Sequence, residues 1–121
     1  MKKILVVEDE EGLRLLYEEE LEGEGYQVLT AQNGKEAIQK LEEEKPDLII
    51  LDIVMPVMDG IEALGRIVGK DKKIPIILNT SHSGYREDFM SWVADAYVTK
   101  SSDLEELKMK VKELLEKGKA R

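Results

Sequence analysis

The chain has 121 residues, with 18 Lys+Arg against 26 Asp+Glu for a net charge of −8, and it contains no Cys. That length suits a single domain able to bury roughly two-thirds of its unfolded surface, and no disulfide framework or thiolate zinc site is available to it. The acidic balance argues against direct nucleic-acid binding, and the apolar run after Met1-Lys2-Lys3 is too short for a signal peptide or a membrane span, so a cytoplasmic protein is expected.

Residues 4–7, Ile-Leu-Val-Val, form a short β-branched run that reads as a first strand. Residues 10–24 then place Leu13, Leu16, Tyr17 and Leu21 at helical spacing, and Gly25 stops that helix. A second strand is expected over 26–31. Asn33-Gly34 is a turn signal, after which Ala37, Ile38 and Leu41 mark a helix that ends before Pro46. Residues 48–51 are apolar throughout and read as a third strand. Ile61, Leu64 and Val68 form a helical stripe after Asp59-Gly60. Residues 75–78 read as a fourth strand, Tyr85, Phe89, Trp92 and Val93 as the next helix, and 96–99 as a fifth strand. Ser102-Asp103 suits the cap of a last helix carrying Leu104, Leu107, Val111, Leu114 and Leu115, with a flexible tail from about 117.

Strands that are apolar on both faces, alternating with amphipathic helices, imply a parallel sheet covered on both sides. Right-handed crossovers leave few topologies. The expected fold is a single α/β domain over 1–121: a doubly wound five-stranded parallel sheet in the flavodoxin-like order 2-1-3-4-5, with helices on both faces.

In such sheets, ligands gather at the carboxyl ends of the strands, near the point where strand order reverses. The first strand ends in Glu8-Asp9, the third in Asp52, the fourth in Asn79-Thr80-Ser81 and the fifth in Lys100. Asp52 follows an apolar run and is itself followed by Ile53, a costly place for a lone carboxylate. At a strand tip it instead faces a shared polar pocket. Carboxylates that close repel one another, and a cation or a bound proton must relieve them. A small hard ion such as Mg²⁺ suits oxygen ligands. Lys100 is then left to hold an anion, most simply a phosphoryl group, beside Thr80.

Four segments in order, ILVVEDE, LDIVMPVMDG, PIILNT and DAYVTK, are similar to those of the receiver domains of two-component response regulators. The likeness covers essentially the whole chain, and D-x-x-M-P-x-M-D-G is its most specific part. The resemblance implies that Asp52 is the phosphoacceptor, attacking a phosphohistidine of a sensor histidine kinase or phosphotransfer protein. It implies that Glu8, Asp9, Asp52 and the backbone carbonyl of Val54 hold Mg²⁺, with Mn²⁺ as a substitute. Thr80 matches the switch hydroxyl, Lys100 the lysine that pairs with the phosphoryl group, and Tyr97 the aromatic that turns inward as Thr80 moves. Tyr97 also reads as an ordinary half-buried strand tyrosine. The output face implied is that of the fourth helix, fifth strand and last helix, which engages an effector or a second copy after phosphorylation. Val54 and His82 match positions that tune hydrolysis of the phosphoryl group, and apolar Val54 suggests a long-lived phosphoform.

The chain departs from the family pattern at several points. Glu8 stands where Asp is commoner, and its extra methylene reshapes the metal site. Ser101 follows Lys100 where proline is frequent, which leaves a cis or trans bond open, and Ser81 stands where a very small residue is usual. These departures motivate an alternative: a degenerate receiver that binds a partner whatever its phosphorylation state. A haloacid-dehalogenase-type phosphatase would need an acid at Val54. A flavodoxin-like cofactor protein would need a better phosphate cradle than Glu8-Asp9-Glu10-Glu11. The signalling switch, rather than a metabolic enzyme, is the leading expectation. Neither the cognate kinase nor a stand-alone role as against a place in a longer regulator is legible.

Overall fold

The computed structural model describes residues 1–52, 74–80, 95–99 and 104–117. Five strands, β1 (Lys3–Val7), β2 (Gln27–Ala31), β3 (Leu48–Leu51), β4 (Ile76–Thr80) and β5 (Ala96–Thr99), make one sheet in the order β2-β1-β3-β4-β5. Every neighbouring pair is parallel, with Ile4 opposite Val28 and Leu48, Ile50 opposite Ile77, and Ile77 opposite Ala96. The described helices are α1 (Glu11–Gly23), α2 (Gly34–Glu44) and α3 (Glu105–Lys117). The expected order of strands is therefore the observed one.

Alternation along each strand divides the core between two faces. Ile4 and Val6 of β1, Leu48 and Ile50 of β3, and Ala96 and Val98 of β5 pack with Tyr17 and Leu21 of α1 and Leu107, Val111 and Leu114 of α3. Leu5, Val7, Ile49 and Leu51 point to the other face, where α2 buries Ala37 and Leu41. A side chain such as Leu21, buried to 1% exposure, makes its replacement by Ala worth roughly 2–5 kcal/mol. In α1 the buried stripe is Leu13, Tyr17 and Leu21 at four-residue steps; Leu16, expected on it, lies at its margin and is 37% exposed. Helical spacing admits both i+3 and i+4 neighbours, and the wide sheet below accepts one row only.

Boundaries shift by a residue or two from the sequence reading. α1 stops at Gly23, and Gly25 then takes φ +96, a left-handed conformation that favours glycine, while Tyr26 precedes β2. Asn33-Gly34 is a helix start rather than a free-standing turn. The Asn33 side chain accepts the Glu36 amide at 2.9 Å, and Glu36 reaches back to the Gln32 amide at 3.2 Å. β4 begins at Ile76 and runs on to Thr80, because Asn79 and Thr80 pair in register with Val98 and Thr99 of β5. The helical stripes at 61–68 and 85–93 and the cap at Ser102-Asp103 lie outside the described residues.

Acids lock the amino edge of the sheet. Asp47 accepts the Lys3 amide at 2.8 Å and donates its own amide to the Lys3 carbonyl at 2.8 Å, joining the entry of β3 to β1. Asp95 does the same for β5, accepting the Ile76 amide at 2.9 Å and donating to the Ile76 carbonyl at 2.9 Å.

Candidate functional site

The opposite, carboxyl edge carries the polar cluster. β1 and β3 are neighbours in the sheet but not in the chain, so the crevice at their ends is the point where strand order reverses. Both strands prolong their ladders by one residue there. The Glu8 amide donates to the Ala31 carbonyl at 3.0 Å, and the Asp52 amide to the Val7 carbonyl at 3.1 Å. The main chain bearing each acid is thus fixed by the sheet itself. Glu8 is 1% exposed and Asp52 5%, whereas Asp9 is exposed.

Carboxylate oxygens of Glu8, Asp9 and Asp52 lie within 4.8 Å of one another. Carboxylates brought that close repel one another when charged, less so where water screens exposed Asp9. Such crowding favours a bound cation. Hard oxygen donors suit Mg²⁺, whose ligands sit at about 2.0–2.1 Å, so that opposite ligands are about 4.2 Å apart. Of three donors only one pair can lie opposite, so the side chains close in from their 4.8 Å envelope as the ion binds. The donor set therefore fits the ion, with both sulfur and nitrogen donors missing from it.

The other expected site residues divide by position. Thr80 is the last residue of β4 and lies in register with Thr99, at this same edge, and Tyr97 pairs along the backbone with Leu78. Buried Asn79, 4% exposed, precedes Thr80. Val54, Ser81, His82, Lys100 and Ser101 lie outside the described residues.

One residue at this edge carries no motif signal. Arg14, half-buried in the first turn of α1, donates from Nη1 to the Glu8 carbonyl at 2.9 Å and to the Asp9 carbonyl at 3.4 Å. Its amide donates to the Glu10 carbonyl at 2.9 Å. Glu8 contributes a further link, its Oε2 accepting the Glu10 amide at 3.1 Å, whereas the Glu10 side chain itself caps nothing.

Residues 4–112 match the response regulator receiver domain family. The chain belongs to that family. Among relatives, it is 40% identical over 122 residues to the alkaline phosphatase synthesis transcriptional regulatory protein PhoP of Bacillus subtilis, with 97% of the chain and 50% of that protein covered. It is 36% identical over 116 residues to sporulation initiation phosphotransferase F of the same organism, with 94% of each covered. The receiver thus spans about half the length of the first of these relatives and nearly all of the second. Among solved structures, the response regulator protein TrrA of Thermotoga maritima in complex with Mg²⁺-BeF superposes with a TM-score of 0.89 at 53% identity, covering 94% of this chain and 99% of that one. The complex of histidine kinase ThkA with TrrA gives a TM-score of 0.87 at 53% identity, covering 95% and 99%. The match is a receiver domain of two-component response regulators. No described helix is long and apolar enough to cross a membrane.

Proposed function

We propose that this receiver accepts a phosphoryl group on Asp52 from a phosphohistidine of a sensor histidine kinase or phosphotransfer protein. A carboxylate oxygen of Asp52 attacks phosphorus, the phosphorus–nitrogen bond breaks, the imidazole leaves, and an acyl phosphate remains. The observation that carries this reading is the crowding of Glu8, Asp9 and Asp52 within 4.8 Å at the strand-order reversal. It is supported by the TrrA relative crystallised with Mg²⁺-BeF and by the TrrA complex with its histidine kinase.

Glu8, Asp9, Asp52 and the Val54 carbonyl would hold Mg²⁺, which supplies positive charge beside the phosphoryl oxygens. Burial of Asp52 to 5% exposure thins the water around the nucleophile and around the mixed anhydride it forms. In this reading the Thr80 hydroxyl donates to a phosphoryl oxygen, Lys100 pairs with another, and Tyr97 turns inward as Thr80 moves. The resulting shift between two conformations re-presents the face of the fourth helix, β5 and α3 to an effector or a second copy. The domain is taken as one unit over 1–121 with a tail from about 117, working in the cytoplasm as a self-phosphorylating and self-dephosphorylating switch rather than a metabolic enzyme.

Intact mass after incubation with acetyl phosphate, with and without Mg²⁺, tests the reading. A single phosphoryl adduct is expected that requires Mg²⁺ and disappears in Asp52→Asn. No adduct from the folded protein at saturating Mg²⁺ would overturn it and favour a binding module indifferent to phosphorylation. Val54 and His82 are proposed to tune the lifetime of the adduct. Val54→Asn, by admitting water, is expected to shorten that lifetime; equal hydrolysis rates would remove Val54 from the role.

A further inference from the structure

The turn between β1 and α1 has to present two acids side by side, yet past the Glu8 amide, which still bonds to Ala31, its main chain belongs to neither element. Past Val7 the carbonyls of Glu8 and Asp9 leave the strand, and α1 begins only at Glu11. Main-chain carbonyls in such a turn need partners, and a turn lacking them samples several conformations. Here one residue supplies them. Arg14 takes three successive carbonyls, those of Glu8 and Asp9 with its guanidinium and that of Glu10 with its amide.

We propose that Arg14 is a positioning residue for the metal site: its guanidinium clamps the carbonyls of Glu8 and Asp9 and so holds their carboxylates toward Asp52. This rests on the reading of the acid edge as a Mg²⁺-dependent phosphoryl acceptor. Two properties suit arginine to the task. Its Nη1 carries two hydrogens and reaches two acceptors at once, and its permanent charge lies beside a cluster of acids. The second link acts in the same sense. Glu8 Oε2 accepts the Glu10 amide, so the Glu8 side chain is oriented by the start of the helix that Arg14 anchors. Without the clamp, the carboxylates remain, but the ion must order the turn as it binds, and affinity falls by the cost of that ordering.

Partners outside the ligand shell typically change metal affinity 10–100-fold, and bonds made to the main chain rather than to the ligating oxygens place Arg14 near the lower end, at about tenfold. The test is Mg²⁺ titration by calorimetry on the full chain for wild type, Arg14→Met and Arg14→Lys, at fixed ionic strength. Far-ultraviolet circular dichroism of each metal-free protein reports the fold. Arg14→Met is expected to bind Mg²⁺ about tenfold more weakly, and Arg14→Lys to recover part of the loss. In the acetyl phosphate reaction, Arg14→Met should need more Mg²⁺ for half-maximal rate yet reach the wild-type rate at saturation. A purely structural role would lower thermal stability without moving that half-saturation point. Folded Arg14→Met with wild-type Mg²⁺ affinity overturns the proposal, and if Met does not fold there, the same comparison with Arg14→Lys and Arg14→Gln decides it. Wild type that binds no Mg²⁺ removes the underlying site reading instead, and this inference with it.

Discussion

The two edges of one sheet use the same residue type in opposite ways. At the amino edge, Asp47 and Asp95 each exchange a pair of hydrogen bonds with the main chain of the neighbouring strand, at 2.8 and 2.9 Å, and hold β3 and β5 in register. At the carboxyl edge, Glu8, Asp9 and Asp52 crowd within 4.8 Å of one another. An aspartate beside a strand is therefore not a signal in itself. What separates the two sets is crowding: Asp47 and Asp95 bond to main-chain amides of a neighbouring strand, whereas Glu8, Asp9 and Asp52 face one another, with Glu8 also accepting the Glu10 amide. Proteins break local rules of charge pairing where they need chemistry, and in the reading proposed above the carboxyl edge is such a place.

The contrast can be broken from either side. Asp9→Asn removes a charge from the crowded edge, and Mg²⁺ affinity is expected to fall at least about 100-fold, beyond the loss typical of outlying partners. Calorimetric titration reads that loss directly. The same substitution relieves repulsion, so the metal-free protein is expected to gain stability, about 1 kcal/mol after solvent screening at exposed Asp9.

Asp95→Ala should do the reverse. It strips the side-chain acceptor from the Ile76 amide and is expected to cost roughly 1–3 kcal/mol in urea unfolding. Its Mg²⁺ affinity should match wild type; a large affinity loss would mean the two edges are not separable.

A smaller effect sharpens the contrast at alkaline pH, far from the acid cluster. Burial pushes the Tyr26 phenol above its ordinary value of 10.0, and the charges of Glu24 and Glu116 add to the shift. A raised folded value means that the contribution of Tyr26 is intact below pH 10.0 and is lost as pH rises through the folded value. Lys108, raised chiefly by its hydrogen bond to Glu20, loses its share in the alkaline range as well. Tyr26→Phe should make the alkaline fall in melting temperature shallower without abolishing it. Superimposable alkaline limbs would remove Tyr26 from the effect.

Much of this is legible in the amino-acid sequence. The strands read clearly because a parallel sheet covered on both faces leaves runs such as Leu48–Leu51 apolar without interruption. The acids read clearly because their carboxylates fall directly after those runs. Other features leave weaker marks. Asn33-Gly34 looks like a turn and serves as a helix cap, since the same side-chain oxygen suits both. Leu16 falls outside the buried stripe because periodicity defines a helix face more broadly than the sheet beneath accepts. Arg14 was invisible because its partners are main-chain carbonyls, and a side chain bonded to backbone leaves no complementary residue to notice.

The most direct measurement is thermal unfolding of wild type and Asp9→Asn with and without Mg²⁺, at equal ionic strength set with K⁺. If the carboxyl edge is a crowded cation site, wild type melts higher with Mg²⁺, because an ion bound only by the folded state stabilises it. Asp9→Asn should then start above metal-free wild type and gain little from the ion. A wild-type melting temperature indifferent to Mg²⁺, or an Asp9→Asn protein that melts below metal-free wild type, would contradict that view of the edge.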